Sequence, residues 1–248
     1  MVKRFFNWQV IFGISLVVLS VAVYFIHYLI FRDLHHIFLY LIGDIAFVFI
    51  EVLLVTLVLH QLLHYREKKA MLNKLNMVIG AFFSEVGLEL LSEFSLFDTE
   101  ASKITQKLVI TNDWSEKEFL QIRKNVKAHN YSIDSKSIDL EQVRGFLREK
   151  RQFLLNLLEN PNILEHESFT NLLWAVFHLT EELIHRKSLK GLPESDHQHL
   201  AGDIKRVYSL LIAEWLDYME HLKNNYPYLF SLAMRTNPFD ANASVEVK

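Results

Sequence analysis

Two carboxylates interrupt a long apolar stretch in the N-terminal part of the chain. Residues 37–63 read IFLYLIGDIAFVFIEVLLVTLVLHQLL and include Asp44 and Glu51. As a helix, this stretch is long enough to cross the hydrocarbon core of a bilayer. Asp44 and Glu51 are seven positions apart, so they lie on one face of that helix. Because a carboxylate away from water is costly, we expect each one to meet a partner or to serve a function.

A second apolar span precedes this one and offers polar partners for the two carboxylates. It covers residues 10–31, and residues 32–36 leave room only for a tight turn, which predicts an antiparallel two-helix hairpin. Antiparallel pairing would place His27 against Asp44 and Ser20 against Glu51. Two interpretations are open. The polar groups hold the hairpin or an oligomer together, or the carboxylates line a proton or cation path or bind a ligand. Because two helices cannot enclose a path, the second interpretation requires a homo-oligomer or another partner.

Histidines and carboxylates also recur on two later helical patterns. His178, Glu182 and His185 lie on one pattern at spacings of four and three, and helices present metal ligands at such spacings. His199, Asp203, Glu214, Asp217 and His221 flank the apolar stripe of the next pattern. The alternative is that these side chains form the solvated face of a bundle. No cofactor is predicted, and a metal ion is the alternative. Its candidate ligands are His178, Glu182, His185, Glu214 and His221.

The elements that must position these residues divide the chain by composition. No Asp, Glu, Lys or Arg occurs between Arg4 and Arg32, whereas charges of both signs are frequent from Arg66 onward. We therefore predict a transmembrane hairpin over residues 1–64, a cytoplasmic helical domain over 65–239 and a disordered tail over 240–248. The fold class is all-α, because all four prolines lie where helical patterns stop.

Several helices are predicted inside the cytoplasmic domain. The apolar stripe of residues 64–96 continues the second span without a break. Ser115 and Glu118 form a capping-box pattern that predicts a helix over 116–129. Further helices are expected at 139–159, 167–187, 195–224 and 227–234.

The flanking charges predict the orientation of the hairpin. Lys3 and Arg4 precede the first span, and Arg66, Lys68 and Lys69 follow the second. Since cytoplasmic flanks carry an excess of Lys and Arg, both termini are expected in the cytoplasm of a multi-pass protein of the inner (plasma) membrane.

Composition excludes several classes of function. The net charge of −3 gives no basic excess for nucleic acid, and the absence of Cys excludes thiolate chemistry. The seven glycines form no phosphate-binding loop, and no GxSxG is present. These exclusions favour a non-enzymatic scaffold, sensor or gate over a membrane-anchored metalloenzyme. Expected partners are the lipid bilayer, further copies of the chain and a protein bound to the cytoplasmic domain.

Three segments carry a resemblance to a known family. They are GDIAFVFIEVLLVTLVLHQLL at 43–63, KLNMVIGAFFSEVG at 74–87 and NNYPYLFSLAMRTNPF at 224–239. The chain resembles an uncharacterised group of prokaryotic two-span membrane proteins. The resemblance implies the two-span architecture and brings no activity, cofactor or catalytic residue.

Overall fold

The computed structural model describes residues 2–98 and 102–246, and this part of the chain is all-α, as predicted. Its β-structure is confined, within those residues, to an isolated bridge between Asp98 and Ile133. The chain forms two compact units, Met1–Lys68 and Lys69–Lys248. The predicted boundaries at 64/65 and 239/240 stay predictions.

The N-terminal unit consists of α1 (Val2–Phe31) and the first part of α2 (Leu34–Phe82). Arg32 ends α1 in the left-handed region, with φ of 49°, and its amide donates to the carbonyl of Tyr28 at 2.8 Å. Asp33 then caps α2 by accepting a hydrogen bond from the amide of His36 at 3.1 Å. The turn therefore needs only Arg32 and Asp33, and α2 begins three residues before the predicted span.

Both helices of this unit contain segments long and apolar enough to cross a membrane. These segments are Val10–Phe31 and Leu34–Lys68, and no residue in the most apolar window of either is buried. The side chains of Lys3, Arg4 and Lys69, on which the predicted orientation partly depends, lie outside the described residues.

The C-terminal unit is a helical bundle built around its longest helix, α8 (Glu194–Asn225). After α2, a π-helical turn at Phe83–Gly87 leads into α3 (Leu88–Ser95). The later helices are α4 (Ser102–Thr105), α5 (Glu116–Ala128), α6 (Leu140–Leu158), α7 (Glu167–His185), α8 (Glu194–Asn225) and α9 (Pro227–Arg235), with 3₁₀ turns at Gln106–Leu108 and Ile163–Glu165. Helix α8 packs against α3, α5, α7 and α9, and α6 packs on α7.

The core of the bundle follows the apolar stripes of these helices. Its largest fully buried side chains are Trp215, Tyr208, Phe82, Phe83 and Phe169. The segment Lys74–Ser95 is also long and apolar enough to cross a membrane, but 44% of its most apolar window is buried inside the bundle.

One local feature of the bundle departs from the expected regular helix. The π-helical turn ends at Gly87, where an added Cβ would lie 2.5 Å from Cδ1 of Phe83. Only glycine leaves room for that ring, because Phe83 is itself fully buried.

The C-terminal end of the chain packs on the bundle and then turns. Helix α9 begins at Pro227, as expected. Beyond it, the amide of Ala243 donates to the carbonyl of Asp240 at 3.0 Å. Val247 and Lys248, the last residues of the predicted disordered tail, lie outside the described residues.

Candidate functional site

The carboxylate of Asp44 finds its partner on α1. The hydroxyl of Tyr24 donates to Oδ2 of Asp44 at 3.4 Å. His27, which the sequence pairs with Asp44, instead places its ring 4.7 Å from Phe31 and 6.3 Å from His36. The tight turn explains this difference, because a shorter connection moves each partner on α1 back by about one helical turn.

Glu51 is left without a partner in its own hairpin. It is exposed, and within the described residues the side chain of neither Glu51 nor Ser20 makes a hydrogen bond or an ion pair. Glu51 lies at the midpoint of the apolar segment Leu34–Lys68. The hairpin therefore presents an unshielded carboxylate halfway along its second apolar helix.

A second polar cluster lies between α7 and α8 in the bundle. Nε2 of His178 lies 3.9 Å from Oε1 of Glu182 and 3.4 Å from Oδ2 of Asp203. Nε2 of His199 lies 3.5 Å from Oε2 of Glu182 and 3.3 Å from the same oxygen of Asp203. Each helix contributes one histidine and one carboxylate four residues apart, so each pair shares a helix face.

The connection between α7 and α8 brings these two pairs into register. The helices run antiparallel, so His178 on α7 meets Asp203 on α8, and Glu182 meets His199. Arg186 fixes this end of the helix pair by donating to Glu182 at 2.6 Å and to Asp196 at 2.7 Å. The loop that follows contains Gly191 with φ of 70°, a conformation that glycine adopts without strain.

The two carboxylates of the cluster differ in their surroundings. The hydrogen bond from Arg186 lowers the pKa of Glu182 below its usual range. Asp203 is 5% exposed, and its Oδ2 accepts no hydrogen bond within the described residues although two imidazole nitrogens are close. The histidines face solvent, with about half of each side chain exposed (46% for His178 and 50% for His199).

The other three predicted metal ligands lie in separate places. Nδ1 of His185 is 2.8 Å from the carbonyl oxygen of Glu181. Glu214 is buried, and this burial raises its pKa, while a hydrogen bond from Ser168 opposes the increase. Nδ1 of His221 lies 3.1 Å from Nδ2 of Asn76, and burial lowers the pKa of that imidazole.

The structure thus joins two of the predicted ligands, His178 and Glu182, to two residues of α8 that were expected as the nearest complement but not as candidate ligands themselves. Those residues are His199 and Asp203. The signal that could have found them is the antiparallel arrangement of the two i, i+4 pairs across a short loop.

These features define an all-α protein with an apolar two-helix N-terminal unit and a C-terminal helical bundle. The chain belongs to the MJ1433 family. One family model, described as the N-terminal helical domain of MJ1433, matches residues 3–63. Another, described as "Uncharacterized protein MJ1433, C-terminal helical domain", matches residues 71–235. The predicted resemblance to an uncharacterised family is thereby confirmed.

A relative in Methanocaldococcus jannaschii covers both units. The chain is 48% identical to "Uncharacterized protein MJ1433" of that organism over 242 residues, which are 98% of this chain and 97% of the relative. No solved structure matches the chain.

Proposed function

We propose that this chain is an integral membrane protein that self-associates through contacts at Glu51 of its second span and uses its helical bundle as a cytoplasmic scaffold or sensor. The two apolar helices of the N-terminal unit support the membrane assignment. The bundle, which has its own buried core and many surface ion pairs, suits an aqueous compartment. The apolar residues of Lys74–Ser95 contribute to this core, so we assign the spans to the first two segments.

The observation that carries the proposal is the exposure of Glu51 at the midpoint of the segment Leu34–Lys68. An acidic side chain at the centre of a membrane helix costs about 2.5–3.5 kcal/mol by insertion measurements. Its own hairpin does not remove this cost, because within the described residues no side chain of α1 forms a hydrogen bond or an ion pair with Glu51. Contact with a second copy would supply polar partners and exclude lipid, since polar side chains hydrogen-bond across membrane helices.

The flanking charges favour a bundle on the cytoplasmic side, with both termini there. Arg66 and Lys68 are exposed at the end of the second apolar segment. A bundle held at the membrane in this orientation can present a docking surface to a protein partner, and its copies would be brought together by the spans. The bundle would thus act as a scaffold or sensor, or as a gate if the acidic face conducts protons.

Self-association in vesicles tests the proposal. The chain has no Cys, so Ala241→Cys gives a single labelling position in the C-terminal tail. Donor-labelled and acceptor-labelled full-length chains are reconstituted together at high dilution in lipid, and energy transfer is measured. We expect transfer above the random level, and we expect Glu51→Ala to weaken association about 100-fold, the factor that corresponds to the cost of an acidic side chain in lipid.

The matched control is Glu67→Ala, which removes an exposed carboxylate at the charged end of the same segment. This variant should associate as the wild type does. Energy transfer no higher than random in the wild type, or equal loss in both variants, would contradict the proposal. A pH-sensitive dye inside the same vesicles separates a gate from a scaffold, because only a gate passes protons in a Glu51-dependent manner.

A second candidate function is a membrane-anchored metalloenzyme. The cluster of His178, Glu182 and His199 favours it, because the half-exposed histidines would let a substrate reach an ion held there. Zinc-loaded protein should then hydrolyse simple esters or phosphate esters, such as p-nitrophenyl acetate and p-nitrophenyl phosphate. Rates equal to those of a His199→Ala variant would refute this function.

A further inference from the structure

The four side chains between α7 and α8 have the geometry of a metal site. We infer that His178, Glu182, His199 and Asp203 bind one divalent transition-metal ion, best matched by zinc, which links α7 to α8. This inference concerns the bundle alone, so it stands whether or not the spans self-associate.

The distances between the donor atoms support a tetrahedral site. Zinc binds imidazole nitrogen at about 2.0–2.1 Å, which places neighbouring donors of a tetrahedral shell about 3.3–3.4 Å apart. Nε2 of His178 and Nε2 of His199 lie 3.4 and 3.3 Å from Oδ2 of Asp203. Nε2 of His178 lies 3.9 Å from Oε1 of Glu182, and Nε2 of His199 lies 3.5 Å from Oε2. One ligand atom from each of His178, Glu182 and His199 lies within 4.8 Å of the other two.

The buried carboxylate of Asp203 gives independent support. Asp203 is 5% exposed, and its Oδ2 points at both imidazoles without accepting a hydrogen bond from either. A buried carboxylate oxygen that is left without a hydrogen bond is costly. A bound ion would satisfy it. An imidazole that binds an ion directs its nitrogen lone pair at that ion, so a neighbouring ligand lies to the side of this direction and accepts no hydrogen bond.

The charges around the cluster allow a divalent ion to neutralise its two carboxylates. Arg186 lies between Glu182 and Asp196 and pairs with both, so its one positive charge is shared by two carboxylates. Arg206 approaches the other oxygen of Asp203, Oδ1, at 3.5 Å and is mostly exposed. The ion would therefore neutralise Glu182 and Asp203, while Arg186 orients the Glu182 carboxylate from outside the shell. Partners of this kind fix the position of metal ligands.

The donor set also restricts the metal. Two imidazoles and two carboxylates suit zinc and its neighbours in the first transition row, whereas calcium and magnesium prefer shells made entirely of oxygen. The chain has no Cys, so thiolate-dependent metals are not candidates.

Metal counting on the purified full-length protein tests the inference. Protein in detergent, freed of any polyhistidine tag, is treated with a chelator, equilibrated with excess Zn²⁺ and desalted. Elemental mass spectrometry should find about one zinc per chain, since a complete set of ligands fills its site. With Co²⁺ in place of Zn²⁺, we expect the intense visible absorption of a tetrahedral ion.

Ligand variants and one matched control complete the test. His199→Ala and Asp203→Asn should bind Zn²⁺ at least about 100-fold more weakly, because even the loss of a residue that only orients a ligand costs about 10–100-fold. His185→Ala removes a more exposed histidine of α7 (75% exposed) and should retain the wild-type stoichiometry. If His199→Ala fails to fold, zinc binding by the nearly isosteric Asp203→Asn and the wild-type Co²⁺ spectrum test the inference instead.

Three results would overturn the inference. The first is wild-type protein with less than about 0.1 zinc per chain after loading, against the full occupancy expected of a complete ligand set. The second is equal loss of zinc in His185→Ala and His199→Ala, which would indicate adventitious binding by surface histidines. The third is a weak, octahedral Co²⁺ spectrum that persists in Asp203→Asn.

Discussion

Asn237 joins the C-terminal segment to the bundle through two buried hydrogen bonds. Its Nδ2 donates to the carbonyl of Leu108 at 2.9 Å, and its Oδ1 accepts from the amide of Phe239 at 2.9 Å. Asn237 is 1% exposed, and Leu108 is fully buried. The ring of Phe239 lies 5.1 Å from that of Trp215. Asn237 therefore also positions Phe239 against the buried Trp215.

The substitution Asn237→Ala would leave the Leu108 carbonyl and the Phe239 amide unpaired inside the protein. Each unpaired buried group costs about 1–3 kcal/mol, so we expect the free energy of unfolding to fall by about 2–6 kcal/mol for the two groups. The control is Asn242→Ala, which changes an exposed residue of the same segment and should alter stability by less than about 0.5 kcal/mol.

Urea unfolding of the detergent-solubilised protein, followed by tryptophan fluorescence, measures both variants. Because Trp215 is 1% exposed beneath Phe239, loosening of the segment should also shift its emission to the red before global unfolding. A change of less than about 0.5 kcal/mol in Asn237→Ala, equal to that in the control, would refute this account of the segment.

Three further predictions concern the bundle. Gly87→Ala should destabilise the bundle by about 1–3 kcal/mol, because the new Cβ would overlap the buried ring of Phe83. Gly145→Ala, in open space on α6, should stabilise it by about 0.5–1 kcal/mol. Relative to the wild type, the urea midpoint should therefore shift down in the first variant and up in the second. Burial raises the folded-state pKa of Glu214, so its contribution to stability is fully present below the pKa of the unfolded chain and is lost as pH rises through the folded pKa. Glu214→Gln should therefore flatten the fall in urea midpoint that begins as pH rises above 4.5, the ordinary pKa of a glutamate, and an unchanged slope would contradict this. Arg186→Ala should cost about 1–3 kcal/mol at neutral pH. This cost should shrink in acid, since Arg186 lowers the pKa of the two carboxylates that it holds, and stability gained from a lowered pKa is lost as pH falls through the folded pKa. Urea midpoints measured from neutral pH to below pH 3.8, the ordinary pKa of an aspartate, test this.

Most helices of the bundle could be predicted because their signals are local. Ser115 and Glu118 form the expected capping box, and α5 begins at Glu116 as that pattern requires. Helices α6, α7 and α8 begin and end within two residues of the ranges predicted from their apolar stripes. The π-helical turn before Gly87 could not be predicted in this way, because it depends on where the Phe83 ring packs in the folded bundle.

The candidate sites show a similar division. Asp44 and Glu51 could be identified because a charge in an apolar span is visible in any sequence, but their neighbours depend on the length of one turn. Two residues, Arg32 and Asp33, were enough to close it, and Tyr24 rather than His27 reaches Asp44. In the bundle, His178 and Glu182 were identified from one helix alone. Their complement on α8 follows only once the two helices are paired antiparallel.

The antiparallel pairing of α7 and α8 also distinguishes the predicted metal ligands that lie in the cluster from those that do not. His185 and His221 have suitable chemistry, but each has a different neighbour in the fold: His185 contacts the carbonyl of Glu181, and His221 contacts Asn76. Residue type and spacing along one helix therefore define candidates, and the register between helices selects among them.

Contact between two copies at Glu51 of α2 is the central claim, and disulfide trapping in the membrane tests it most directly. Val55 lies on the same helix face as Glu51, and Leu53 lies on the opposite face. In a chain without native Cys, Val55→Cys should form a disulfide-linked dimer on mild oxidation, whereas Leu53→Cys should remain monomeric. Dimers formed only by Leu53→Cys, or by neither variant, would contradict the claim.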